Sequence, residues 1–146
     1  MFGNCKNLRS VKFIDYDTSN VKNMKYMFIN CESLIELDLS SFNTSNVTDM
    51  HFMFNRCKSL TKLDLSSFNT SNVYDMQSMF EGCESLSELE ISMFDISKVS
   101  NMDSMFAGCT SLKRLNLGNA FYEFPSIYID NMFKNCNSLK HIQCTK

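Results

Sequence analysis

The chain has 146 residues, a net charge of -2, and 44% hydrophobic against 21% charged residues. That balance suits a packed core of single-domain size, and it lacks the basic surplus that a nucleic-acid partner would require. The longest apolar runs span a few residues, so no membrane-crossing helix of about 20 residues is expected, and the opening MFGNCKNL shows no signal peptide within the chain.

Thirteen phenylalanines and eleven methionines, with four glycines and one proline, suggest that a few positions recur. Met-Phe pairs stand at Met1-Phe2, Met27-Phe28, Met53-Phe54, Met79-Phe80, Met105-Phe106 and Met132-Phe133. Each pair is followed by a cysteine (Cys5, Cys31, Cys57, Cys83, Cys109, Cys136) and then by a leucine (Leu8, Leu34, Leu60, Leu86, Leu112, Leu139). The unit MFxxCxSLxxLDLSxFxTSNVxxMxx therefore divides the chain into repeats 1–26, 27–52, 53–78, 79–104 and 105–131, with a partial repeat 132–146.

Along each unit the first predicted element is a strand. In Ser59-Leu60-Thr61-Lys62-Leu63-Asp64-Leu65-Ser66, Leu63 and Leu65 alternate with polar residues. A turn at Phe42, Phe68 or Phe94 then leads to Thr70-Ser71-Asn72 and its counterparts, whose side-chain oxygens suit the start of a helix. Asp75 lies three residues after Asn72, and Asp49 three after Asn46, as in a capping box. Val73, Met76, Met79, Phe80 and Cys83 follow at spacings read as a helical stripe, ending near Gly82-Cys83 and Gly108-Cys109, where glycine permits a left-handed exit. The fold class expected is an α/β repeat solenoid, leucine-rich-repeat-like. It has one short parallel strand and one short helix in each unit of about 26 residues, with stacked apolar ladders between units.

These motifs resemble the BspA-like leucine-rich surface-protein repeat of mycoplasmas and of Gram-positive and other host-associated bacteria. The resemblance spans essentially the whole chain. It implies a cell-surface or secreted protein linked to adhesion or host contact, without an enzymatic role, and it carries over no fixed ligand residues.

The residues themselves offer little catalytic chemistry. The six repeated cysteines are too widely spaced for a zinc motif. A disulfide between stacked neighbours is sterically open, but their place on the apolar stripe favours a buried, reduced ladder. His51, expected in a helix, and His141, expected in a strand, are far apart in repeat position, and each reads as a surface substitution rather than a catalytic base. No phosphate loop or paired-carboxylate motif stands outside the repeat. The expectation is no enzyme, no cofactor and no bound metal.

Function is then expected on the solvent side of the strands, the concave face. One column reads Ser10, Glu36, Lys62, Glu88, Arg114, His141, and the next Lys12, Asp38, Asp64, Glu90, Asn116, Gln143. Two readings stay open for Glu36, Asp38, Lys62, Asp64, Glu88, Glu90, Arg114 and Asn116. They form a solvated polar face, or an acidic patch for a basic partner or weakly held divalent cations. The fifth unit breaks the pattern with an inserted residue and Pro125, and its Tyr122, Phe124 and Tyr128 read as a capping turn or as a partner-contact bulge. A protein or glycan ligand is expected on a surface-displayed module, with an intracellular interaction scaffold as the alternative. The uncapped apolar ladders at both ends suggest a segment of a longer array or end-to-end self-association.

Overall fold

The computed structural model describes residues 1–118 and 127–144. Five short strands occur in chain order: β1 (Ser10–Val11), β2 (Glu36–Leu37), β3 (Glu88–Glu90), β4 (Arg114–Gly118) and β5 (His141–Cys144). They pair in parallel as a two-stranded sheet, β1-β2, and a three-stranded sheet, β3-β4-β5. On the other side of each coil a second parallel ladder runs through Asn23, Asp49, Asp75, Asn101 and Tyr128 as single bridges. Successive repeats therefore stack in register.

The α/β expectation is overturned: there is no helix among the described residues. The segment read as a helical stripe is a run of tight turns. Met79 N–H donates to the Met76 carbonyl at 3.2 Å, and Cys83 N–H to the Phe80 carbonyl at 3.1 Å, both three residues back. The intervening N–H groups point to the next coil, as Met76 does to Asn101, Phe80 to Met105 and Gly82 to Ala107. Amides shared in this way between turn and neighbour leave none for the four-residue bonding of an α-helix. The turns Met76–Met79 and Phe80–Cys83 have positive φ at their third residues, Ser78 and Gly82, as a type II turn requires, and Phe52 and Arg56 do the same in the coil before. Gly82 and Gly108 are left-handed, as expected, but they shape turns rather than end helices.

The capping role assigned to Thr-Ser-Asn is corrected for the same reason. Thr70 is buried, and its hydroxyl donates to the Asp95 carbonyl at 2.9 Å while accepting from the Asp95 N–H at 2.8 Å. Thr18 and Thr44 make the same pair of hydrogen bonds to the main chains of Asn43 and Asn69. Each threonine thus clamps its coil to the next. Asp49 and Asp75 are not in capping boxes; each accepts the N–H two residues on, from His51 at 3.1 Å and from Gln77 at 2.9 Å.

The core lies inside the coils as continuous ladders. Phe2, Phe28, Phe54, Phe80, Phe106 and Phe133 form an offset stack with ring centroids 5.5–5.7 Å apart and planes within 8° of parallel. Phe42, Phe68 and Phe94 are buried in a second ladder. All seven cysteines are free thiols. Cys31, Cys57, Cys83 and Cys109 are buried, Cys136 is half-buried, and Cys5, expected in the buried ladder, is exposed. Each thiol from Cys31 onward in that ladder donates to a phenylalanine carbonyl of the preceding coil, at 3.0–3.3 Å. Burial pushes the Cys57 and Cys83 thiols far above their ordinary range, and that of Cys109 up to about 12. Cys144, outside that ladder, is exposed at the end of β5.

Candidate recognition face

Strand pairing sets part of the two polar columns side by side. Ser10 stands opposite Glu36, Glu88 opposite Arg114 and then His141, and Glu90 opposite Asn116 and then Gln143. The alternation of buried Leu89 and Leu115 with polar neighbours turns these side chains outward. Together the six polar residues of β3, β4 and β5 border a shallow recess of about 220 Å³.

The expected acidic patch is broken in two ways. First, Thr61–Leu65 is not a strand, so the sheet is interrupted at the third repeat. Glu36, Asp38, Lys62 and Asp64 instead border a separate, wider recess of about 490 Å³ with Ile35, Leu37 and Thr61. Second, cationic and amide groups engage the carboxylates of the later repeats. The Arg114 guanidinium pairs with Glu88, and Asn116 Nδ2 donates to Glu90 Oε2 at 2.8 Å.

Several of these carboxylates also shape the chain. The Ser40 hydroxyl and N–H both donate to Asp38 and hold its carboxyl below the usual carboxylate range. The Ser66 N–H does the same for Asp64. Partial burial of Glu90 works to raise its carboxyl, yet the bonds from Ser92 and Asn116 outweigh it and hold the group low. These groups are thus anionic acceptors at neutral pH, closing the turn that follows each strand.

Of the residues expected at a partner bulge, Tyr122 and Phe124 lie outside the described residues. The main chain of Tyr128 continues the inter-coil ladder, its N–H donating to the Ser100 carbonyl at 3.0 Å and its carbonyl accepting from Met102 at 2.7 Å. The Tyr128 side chain is 71% exposed.

A cluster that the sequence analysis did not single out lies on the other ladder. His51, expected as a surface residue of a helix, is mostly buried in a turn. Its Nδ1 is 2.7 Å from Asp49 Oδ1 and 3.8 Å from Asp75 Oδ2. The nearer contact is off line: Nδ1 is inaccessible to solvent and has no hydrogen-bond partner. One ligand atom from each of the three residues lies within 4.8 Å of the other two. The two-residue step from Asp49 to His51 and the 26-residue step to Asp75 were visible in the repeat alignment. Only the second parallel ladder makes them neighbours.

With this geometry established, comparison with known proteins places the chain. The model of the family described as Mycoplasma protein of unknown function, DUF285, matches residues 1–119 and again residues 64–143. The chain belongs to this family. No curated protein matches the DUF285 chain. Among solved structures, a leucine-rich cell surface protein from Faecalibacterium prausnitzii A2-165 is similar, with a TM-score of 0.62 and 22% identity. The similarity covers 90% of this chain and 32% of that one, so this chain spans about a third of the other's length. It shows a shared fold.

Proposed function

We propose that this DUF285 chain is a non-catalytic recognition module, displayed on the cell surface or secreted, whose strand face binds a protein or glycan. The observation that carries this reading is the division of labour within each repeat. The repeated residues are consumed in ladders, clamps and turns, whereas the outward strand positions vary from coil to coil around an open recess. Glu88, Arg114, Asn116, His141 and Gln143 supply paired charges and amides there, a chemistry suited to polar ligands such as glycans or protein loops. Glu36, Asp38, Lys62 and Asp64 extend the face through the second recess.

The finer assignment to a BspA-like adhesin rests on the repeat motif, supported by the leucine-rich surface protein that shares the fold. An intracellular interaction scaffold is the second reading, favoured by the free thiols exposed at Cys5 and Cys144, which suit a reducing compartment. Labelling intact producing cells with a membrane-impermeant amine reagent separates the two. Surface display predicts modification of exposed lysines such as Lys12 and Lys62 before lysis. Modification only after lysis would overturn it in favour of the scaffold.

A further inference from the structure

We propose that Asp49, His51 and Asp75 form a site for one divalent transition-metal ion, with Zn2+ as the test ion. Asn23, Asp49, Asp75 and Asn101 occupy one column of the second ladder and perform the same local task. Each accepts the N–H two residues on through its side-chain Oδ1, at 2.9–3.1 Å. Asparagine does this as well as aspartate, so the turn does not require a negative charge. Yet two carboxylates stand opposite each other at Asp49 and Asp75, about 4.8 Å apart along the stack, where like charges repel. A cation between them removes that repulsion.

The imidazole supplies the second, independent observation. A fully buried ring nitrogen without a hydrogen-bond partner is unfavourable, and His51 Nδ1 is such an atom. Asp49 Oδ1, although 2.7 Å away, lies off the direction in which an N–H would donate and already accepts the His51 main-chain N–H. A metal ion satisfies Nδ1 and both carboxylates at once. Ligand bonds of about 2.0–2.2 Å place neighbouring ligand atoms roughly 3–4 Å apart. The observed separations are 2.7 Å, just under that range, and 3.8 Å, within it, and a small movement of the Asp75 side chain, a quarter exposed, closes the set.

One nitrogen and two carboxylate donors favour zinc or a similar borderline ion over calcium, which prefers six to eight oxygens. The imidazole is already oriented. The Tyr26 and Phe52 rings meet it edge-on, at centroid distances of 4.8 and 5.5 Å. Three protein ligands leave a coordination position for water or for a group from a bound partner.

The test uses the full chain with Cys5→Ser and Cys144→Ser, which removes the two exposed thiols that compete for zinc. After dialysis against chelator, titration calorimetry with Zn2+ is expected to show one equivalent bound, weakened at least tenfold by His51→Ala or by Asp75→Asn. In the chain retaining all three ligands, the ¹⁵N resonance of His51 Nδ1 is expected to shift on zinc addition and to return with EDTA. That second measurement decides the matter where a ligand variant fails to fold. No binding at millimolar Zn2+, unchanged binding after His51→Ala, or an unmoved Nδ1 resonance would each overturn the site.

Discussion

Truncating one ring of the phenylalanine ladder should cost far more in the middle of the stack than at its last ring. Phe80 is fully buried and faces Phe54 and Phe106, each 5.7 Å away. Phe80→Ala removes a buried aromatic, a change that costs about 3–5 kcal/mol with the cavity left behind. The loss falls at the upper end of that range, because two ring contacts worth about 0.5–1.5 kcal/mol each go with it. Phe133 is only partly buried and stacks on Phe106 alone, at 5.6 Å. Its truncation should cost about 1–3 kcal/mol, with less cavity and a single lost ring contact. Urea denaturation followed by intrinsic tyrosine fluorescence measures both, comparing midpoints where the slopes agree. Phe80→Leu, which refills most of the space, should recover more than half of the loss. Equal losses for the two alanine variants would refute a stack in which each coil is held by neighbours on both sides.

Other consequences follow from the same contacts. Thr70→Val keeps the shape of a buried clamp but strands the Asp95 N–H and carbonyl, and should cost about 1–3 kcal/mol in the same assay; a neutral result would remove the threonine clamp from the account. Under reducing conditions, stability should fall as pH rises above the ordinary thiol value of 9.0, because the unfolded chain releases protons that the buried Cys57, Cys83 and Cys109 thiols retain, Cys109 up to about pH 12. The limiting slope is about 1.4 kcal/mol per pH unit for each such thiol; a urea midpoint that is flat between pH 8 and 10 would contradict the burial of the ladder. The isolated chain should associate with rising concentration, since among the described residues nothing pairs with the outer edge of β5 and Ile142 is 46% exposed there. A light-scattering mass that stays monomeric throughout would count against this.

The sequence was most readable where one residue type recurs for one reason. The Phe and Cys columns and the outward strand positions could be placed because a stacked repeat sets identical residues opposite one another. The turn ladder was misread because a step of three residues suits both a helix face and a chain of three-residue-back turns. The run Val73, Met76, Met79 favours the latter, since a helix of 3.6 residues per turn mixes steps of three and four. Positive φ at Gly82 and Gly108 was legible from residue type, whereas at Phe52, Arg56 and Ser78 it was not. Those residues are held left-handed by the amides they share with the next coil. The interruption at Thr61–Leu65 had no sequence signal, because its leucines match those of the paired strands. The Asp49–His51–Asp75 cluster escaped notice for a related reason: reading the stripe as a helix hid the register that joins its members.

The central claim, that recognition resides on the strand face, is tested most directly by binding the purified chain to arrays of glycans and extracellular-matrix proteins. Wild type is compared with a strand-face variant, Glu88→Ala/Arg114→Ala/Asn116→Ala, and with an opposite-face control, Lys22→Ala/Lys25→Ala, all checked for equal thermal stability. The account predicts selective binding that falls at least tenfold in the strand-face variant and persists in the control. Binding that survives the strand-face substitutions, or that is lost only in the control, would contradict it.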